Sequence, residues 1–230
     1  MCRFKEYNLK EFFIKILIVC IGVTSAACGV AIFYTLNIGT DPVSVFVDGQ
    51  HQIFGLSYGS VNLIDSLVYF VVILIFSRNL VNLATWISGF AMGPLINLFT
   101  GMFSKLILPE GTFTLQFTAF RGFVFIPPGQ DYLVRLLMLI PAVILLGCGL
   151  GLYLSANMGA APVDALVLFI SGKLKKPLKE VKIAFDFIVA IIGFLLGGVV
   201  GVGTIVAIAM TGPIINLTIK TVGKLNKTVI

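Results

Sequence analysis

Charge is the scarcest thing in this sequence. Only 11% of its 230 residues are Asp, Glu, Lys or Arg, 58% are hydrophobic, and the mean hydropathy is +1.07. A soluble domain carries roughly a quarter charged residues, so a soluble enzyme is excluded first. The single histidine and single tryptophan leave little acid–base inventory. No His–carboxylate cluster or activated nucleophile pattern stands out, and a membrane enzyme is not expected. The run Gly201-Val202-Gly203 lacks the strand, helix and acidic context of a dinucleotide fingerprint, and there is no ATPase motif. No cofactor and no metal are expected. The four cysteines, at 2, 20, 28 and 148, show no metal-ligand spacing, and inside apolar helices a thiol behaves as a small hydrophobe.

What is present is long apolar runs separated by basic clusters. The net charge of +6, from 16 Lys and Arg against 10 Asp and Glu, would suggest nucleic acid in a soluble protein. Here it is the positive-inside pattern of a polytopic membrane protein, so the partner is the lipid bilayer and not nucleic acid. Six segments suit a hydrocarbon core of roughly 30 Å: about 12 to 36, 59 to 77, 83 to 104, 132 to 156, 181 to 200 and 203 to 222. Val43 to Phe54 and Val163 to Gly172 are shorter and are read as re-entrant or interfacial helices. The first apolar run, Phe12 to Leu36, is too long for a signal-peptide core and is expected to remain as an uncleaved helix.

With the amino terminus in the cytoplasm, 13 basic residues fall inside and three, Lys105, Arg121 and Arg135, fall outside. Both termini are then cytoplasmic, in the cell membrane. Letting the short segments span would carry the lysines at 173 to 182 outside.

The two halves repeat at an offset of 119 to 120 residues. Cys28-Gly29-Val30 recurs as Cys148-Gly149-Leu150, and Asn37-Ile38-Gly39-Thr40-Asp41-Pro42 as Asn157-Met158-Gly159-Ala160-Ala161-Pro162. Gly93-Pro94-Leu95-Ile96-Asn97 recurs as Gly212-Pro213-Ile214-Ile215-Asn216. The expected architecture is a single all-α membrane domain over 1–230, with repeat 1 at about 12–104, an outer loop at 105–131 and repeat 2 at about 132–222. Three spans per half is an odd number, so the repeats are inverted. That plan recurs in secondary transporters, with the site near the repeat interface.

These residues resemble the YczE-like integral membrane proteins, related more distantly to the YitT family. The likeness rests on the basic amino terminus, the turn of Asn37, Gly39 and Pro42, and the later Gly93, Pro94 and Asn97. It covers nearly the whole chain. It implies the fold and no particular substrate. The soluble carboxy-terminal domain of YitT-like proteins is not expected in a chain ending at Ile230.

Asn37, Gly39 and Pro42, and likewise Asn157, Gly159 and Pro162, read as a left-handed helix cap followed by proline at the start of the next helix. Two such helix amino ends approaching from opposite faces suit an anion or a substrate carboxylate; a plain surface turn before an interfacial helix is the rival reading. Asp65 and Asp186 lie five or six residues inside their helices, where ionisable groups mark ion or substrate pathways. Lys182 stands four residues before Asp186, the spacing of a same-face ion pair. Asp65 has no such cation, and Asn62 one turn earlier is placed to hydrogen-bond it. Asn97 and Asn216 follow Pro94 and Pro213 and are expected to face protein, lining a cavity or joining helices.

The pairs Gly89 and Gly93, Gly147 and Gly151, and Gly197 and Gly201 have the spacing of close helix packing. Thr112 to Ala119 alternates like a strand, a hairpin or cap turning at Arg121-Gly122. His51 reads as a polar surface residue rather than a pH sensor. The function expected is movement of a small solute or ion near the two turns, Asp65, Asn97 and Asn216. The alternative is a substrate-capturing or scaffold membrane subunit of a larger complex with no transport on its own; besides lipid and an unidentified solute or ion, the partners open here are a second copy of the chain, as a homo-oligomer, or another protein.

Overall fold

The computed structural model describes residues 9–107 and 130–229, and every element in them is helical. The order is α1 (Leu9–Leu36), α2 (Pro42–Phe54), α3 (Tyr58–Phe76), α4 (Leu83–Ile107), α5 (Gln130–Ser155), α6 (Pro162–Leu174), α7 (Leu178–Leu195) and α8 (Val202–Val229). A single 3-10 turn, Arg78–Leu80, joins α3 to α4. The strand-like stretch Thr112 to Ala119 lies outside the described residues.

Among the described residues, five helices are long and apolar enough to cross a membrane: α1, α3, Leu83–Ser104 of α4, Leu133–Ser155 of α5 and Val202–Gly223 of α8. The sixth span of the sequence reading corresponds to α7, which has 18 residues and carries Lys179, Glu180, Lys182 and Asp186. It ends at Leu195 rather than near 200. Gly197 follows with φ +98°, a left-handed conformation that breaks the helical path. Side chains such as Ile75, Phe187, Leu195 and Ile205 are exposed, and apolar exposure on this scale suits contact with lipid rather than water.

α1 and α5 cross at the centre. Lipid tails are as apolar as leucine, so helices in a membrane associate through close packing of small residues. Gly22, Ala26 and Gly29 of α1 lie against Gly149, Leu146 and Ala142 of α5, where an added Cβ would strike backbone. The Ser25 hydroxyl donates to the Leu145 carbonyl at 2.9 Å across the same crossing. Around this pair, α4 packs on α1 and α8 on α5, α2 packs on α7, and α3 on α4 and α6. Phe33, Leu36, Ile96 and Leu146 belong to the core so formed.

The two turns named in the sequence have one conformation. Asn37 and Asn157 both have φ +52°, and Gly39 and Gly159 have φ +99° and +122°, values that a side chain larger than Asn tolerates poorly. Each turn is held by the helix start of the opposite half. Gly203 N donates to the Ile38 carbonyl at 2.9 Å, and Ala84 N to the Met158 carbonyl at 3.4 Å. Gly201 N donates to Thr204 Oγ1 at 3.3 Å, and Asn82 N to Thr85 Oγ1 at 3.2 Å. The partners in each pair of bonds stand 119 or 120 residues apart in sequence.

Candidate functional site

Both turns deliver a helix amino end to the same place. α2 begins with Asp41 at the N-cap, extended at φ −65° and ψ 157°, and Pro42 at the first helical position. Asp41 Oδ2 accepts from Ser44 N at 3.3 Å, the side-chain cap that a helix start calls for. α6 begins in the same backbone geometry at Ala161, which has no capping side chain, followed by Pro162. An acid enters one turn later instead: Asp164 Oδ2 accepts from the Tyr153 hydroxyl at 2.5 Å, and Ala161 N donates to that hydroxyl oxygen at 3.5 Å.

Between these ends lies a cavity of about 750 Å³ that touches every helix. Its walls are apolar on the α1 and α5 side, through Val23, Ala26, Val30, Leu146 and Leu150, and polar around the short helices. Lys182 of α7 reaches Asp186 Oδ1 at 3.0 Å and Asp164 Oδ1 at 3.5 Å. The ion pair expected from the four-residue spacing is therefore present, with Asp164 as a second partner.

Asp65 of α3 is buried and lines the cavity. Its partner is not Asn62 but Gln50 of α2, whose Nε2 donates to Oδ1 at 3.1 Å and Oδ2 at 2.9 Å. Asn62 also lines the cavity, and its Oδ1 is buried with no hydrogen-bond partner, as are Asp41 Oδ1 and Thr211 Oγ1. Unsatisfied buried oxygens are costly, and these three surround one space.

Other expected residues lie elsewhere. Pro42 and Pro162 line the cavity, whereas Asn37, Gly39, Asn157 and Gly159 are not among its lining residues and act on it through the turns they shape. Asn97 and Asn216 do not line it either. Asn97 Oδ1 accepts from Gly59 N at 2.8 Å, tying α4 to the first turn of α3. Both asparagines are exposed, against the expectation that both amides face protein; Asn97 still bonds across to α3, whereas α7 does not close on α8 as α3 closes on α4. His51 is occupied by its neighbours: its ring stands 4.0 Å from Tyr58, and Nδ1 is 2.5 Å from the Leu56 carbonyl oxygen.

Sequence reasoning missed Asp41, Gln50, Tyr153 and Asp164. A signal for two of them was available in the departures from the repeat. Asp41 stands opposite Ala161, Ser44 opposite Asp164 and Asn62 opposite Lys182 at an offset of 120, and all six line the cavity. Gln50 carries no comparable mark.

Comparison with known proteins gives the family without a chemistry. Among curated proteins, an "Uncharacterized protein" of Haemophilus influenzae is 31% identical over 91 residues, 40% of this chain and 42% of its own. The "Uncharacterized membrane protein YczE" of Bacillus subtilis is 28% identical over 133 residues, 56% of this chain and 61% of its own. A third, "Uncharacterized protein YyaS" of the same organism, is 21% identical over 197 residues, 86% and 88% of the two chains. The matches thus span 42% and 61% of the first two relatives. No solved structure matches. The signature of a family of unknown function, DUF6198, covers residues 13–220, and the chain belongs to that YczE-like membrane family.

Proposed function

As a member of this membrane family the chain is, we propose, a secondary carrier or channel for a small solute or ion, built from two inverted three-helix repeats. α7 counts as the sixth span in this reading, its charges turned into the cavity or toward the basic loop at its start. The matched bonds that clasp the two turns support a pseudo-two-fold relation, and an odd number of spans per half makes that relation an inversion. α2 and α6, at 13 residues each, are about 20 Å long at 1.5 Å per residue. They enter the membrane without crossing it, and the protein around them satisfies their free ends. With both termini in the cytoplasm, the loop of Lys173, Lys175 and Lys176 is cytoplasmic, and the flank between α7 and α8 opens the cavity toward that side.

One observation carries the reading: two short helices from the two halves aim their amino ends at one cavity lined by four carboxylates, of which Asp65 is buried. Ionisable groups at membrane depth are costly and mark pathways. The test is solute flux by the purified full chain in liposomes, with and without a proton gradient. Wild-type chain is expected to move at least one solute of a mixed panel, and Asp65→Asn is expected to insert normally while losing transport or its coupling. Unchanged flux in Asp65→Asn would leave that carboxylate structural. Flux that needs a co-purifying protein would move the reading to a subunit of a larger complex.

A further inference from the structure

The two helix amino ends at the cavity are not free to take an anion. Asp41 caps α2 with its own carboxylate and Asp164 occupies the first turn of α6, so the partial positive charge of each end already faces a negative group of the chain. Among the described residues of the lining the one cation, Lys182, is held between Asp164 and Asp186. Four carboxylates, Asp41, Asp65, Asp164 and Asp186, therefore share a cavity with one ammonium. Asp65 is left without a cation, and Asp41 has only the longer-range pull of the same Lys182. Beyond the donors already engaged, Gln50 Nε2 on Asp65 and Ser44 N on Asp41, the space between them also presents acceptors. Asp41 Oδ1 and Asn62 Oδ1 are buried without a partner, and Asn62 lies one turn before Asp65 on the same face of α3.

Size and wall chemistry narrow the ligand. A bare inorganic cation needs oxygen ligands on all sides, whereas much of this wall is Val, Ala, Leu and Ile side chain and the volume is about 750 Å³, the size of a small-molecule pocket. We propose that the cavity binds a small organic cation, an ammonium or guanidinium carried on an apolar body, with its N–H donors directed to Asp41, Asn62 and Asp65 and its apolar part against α1 and α5. The inference rests on the carrier reading of the same cavity, but it is tested by binding alone.

The probes are hexylammonium, hexanoate and hexanol, each added at equal concentration to the purified full chain in a non-ionic detergent, with thermal unfolding as the readout. Hexylammonium is expected to raise the transition temperature saturably, and the other two are not. In Asp65→Asn and Asp41→Asn the half-saturating concentration should rise at least about tenfold, the scale of losing one charge-assisted contact. In Glu11→Gln, which neutralises an acid away from the cavity, it should stay as it is. Asn retains a capping side chain at position 41, so that variant reads the inference even if Asp65→Asn folds poorly. A shift from hexanoate or hexanol as large as that from hexylammonium, no shift from any of the three, or unaltered affinity in both Asp variants would overturn it. Hexylammonium binding without flux in liposomes upholds the cation site and removes the carrier reading. Flux of hexanoate without hexylammonium binding upholds the carrier and removes the cation site.

Discussion

The two halves of the chain share their turns and differ in their seams. In the first half α3 lies on α4 at Gly59 and Gly93, so close that a Cβ on Gly59 would run into the Gly93 carbonyl oxygen. Asn97 ties the same seam to the first turn of α3. In the second half the counterpart of Gly59 is Lys179, Gly212 has nothing within 4 Å of where its Cβ would be, and α7 and α8 lack comparable packing. α7 instead leans on α2 through Gly193 and Gly49, where the matching contact of α6 with α3 is made by Phe169 and Phe76, ring centroids 5.8 Å apart. One half is shut and the other open. In a two-fold related pair of halves, exchanging these two arrangements would shut the α7–α8 side and open the α3–α4 side, which is how a carrier exposes one site to two faces in turn.

The largest expected effect tests the shut seam directly. Gly59→Ala puts a methyl group against backbone that has no rotamer to change, an overpacking that costs about 1–3 kcal/mol. Gly212→Ala adds the same methyl in open space, where replacing a helical glycine is neutral or stabilising by up to about 1 kcal/mol. Thermal or denaturant unfolding in detergent should therefore show opposite signs. A loss of equal size in both variants would mean that the seams are alike and that the asymmetry is not a property of the folded chain.

Much of this was legible in the sequence, and the part that was not has a physical cause. Helix positions followed from apolar length, and the turns at Asn37 and Asn157 followed from residues that tolerate positive φ; both are local properties. The ion pair of Lys182 with Asp186 was equally local. What depended on how helices from different halves meet was not visible. Gln50 reaches Asp65 only because α2 lies beside α3, and Asn216 lacks the interhelical bond of Asn97 because α7 and α8 stand apart. The repeat itself misled at Asn97 and Asn216, where equal sequence suggested equal surroundings. It was most informative where it failed: at positions 41, 44 and 62 the halves differ, and those residues and their counterparts face the cavity.

A chemical probe sharpens the comparison at one matched pair. Ile96 is fully buried, and its counterpart Ile215 lines the cavity. In a chain whose native cysteines are replaced, Ile215→Cys should react with a small thiol reagent about tenfold faster or more than Ile96→Cys. That factor corresponds to an opening cost of roughly 1.4 kcal/mol at the buried site. Equal rates would place both positions on the same kind of surface and remove the open flank from the description.

The smallest effect concerns the two asparagines, and it separates sequence equivalence from structural equivalence most cleanly. Gly59 is in the first turn of α3, where backbone N–H groups have no partner within the helix. Ser57 takes one of them, accepting from Ser60 N at 3.3 Å, and Asn97 takes another at 2.8 Å from a different helix. Asn97→Ala orphans that donor at a packed seam, which should lower stability by about 1 kcal/mol, within the range of cap and interhelical bonds. Asn216→Ala removes an exposed amide from the open seam and should stay within about 0.5 kcal/mol of the parent. Since the two residues sit in the same five-residue block, any difference between them comes from the neighbouring helix. Should a ligand draw α7 onto α8, Asn216 would acquire the role that Asn97 has now. The cost of Asn216→Ala would then rise toward 1 kcal/mol only with ligand present, a dependence that unfolding measured with and without ligand reads directly.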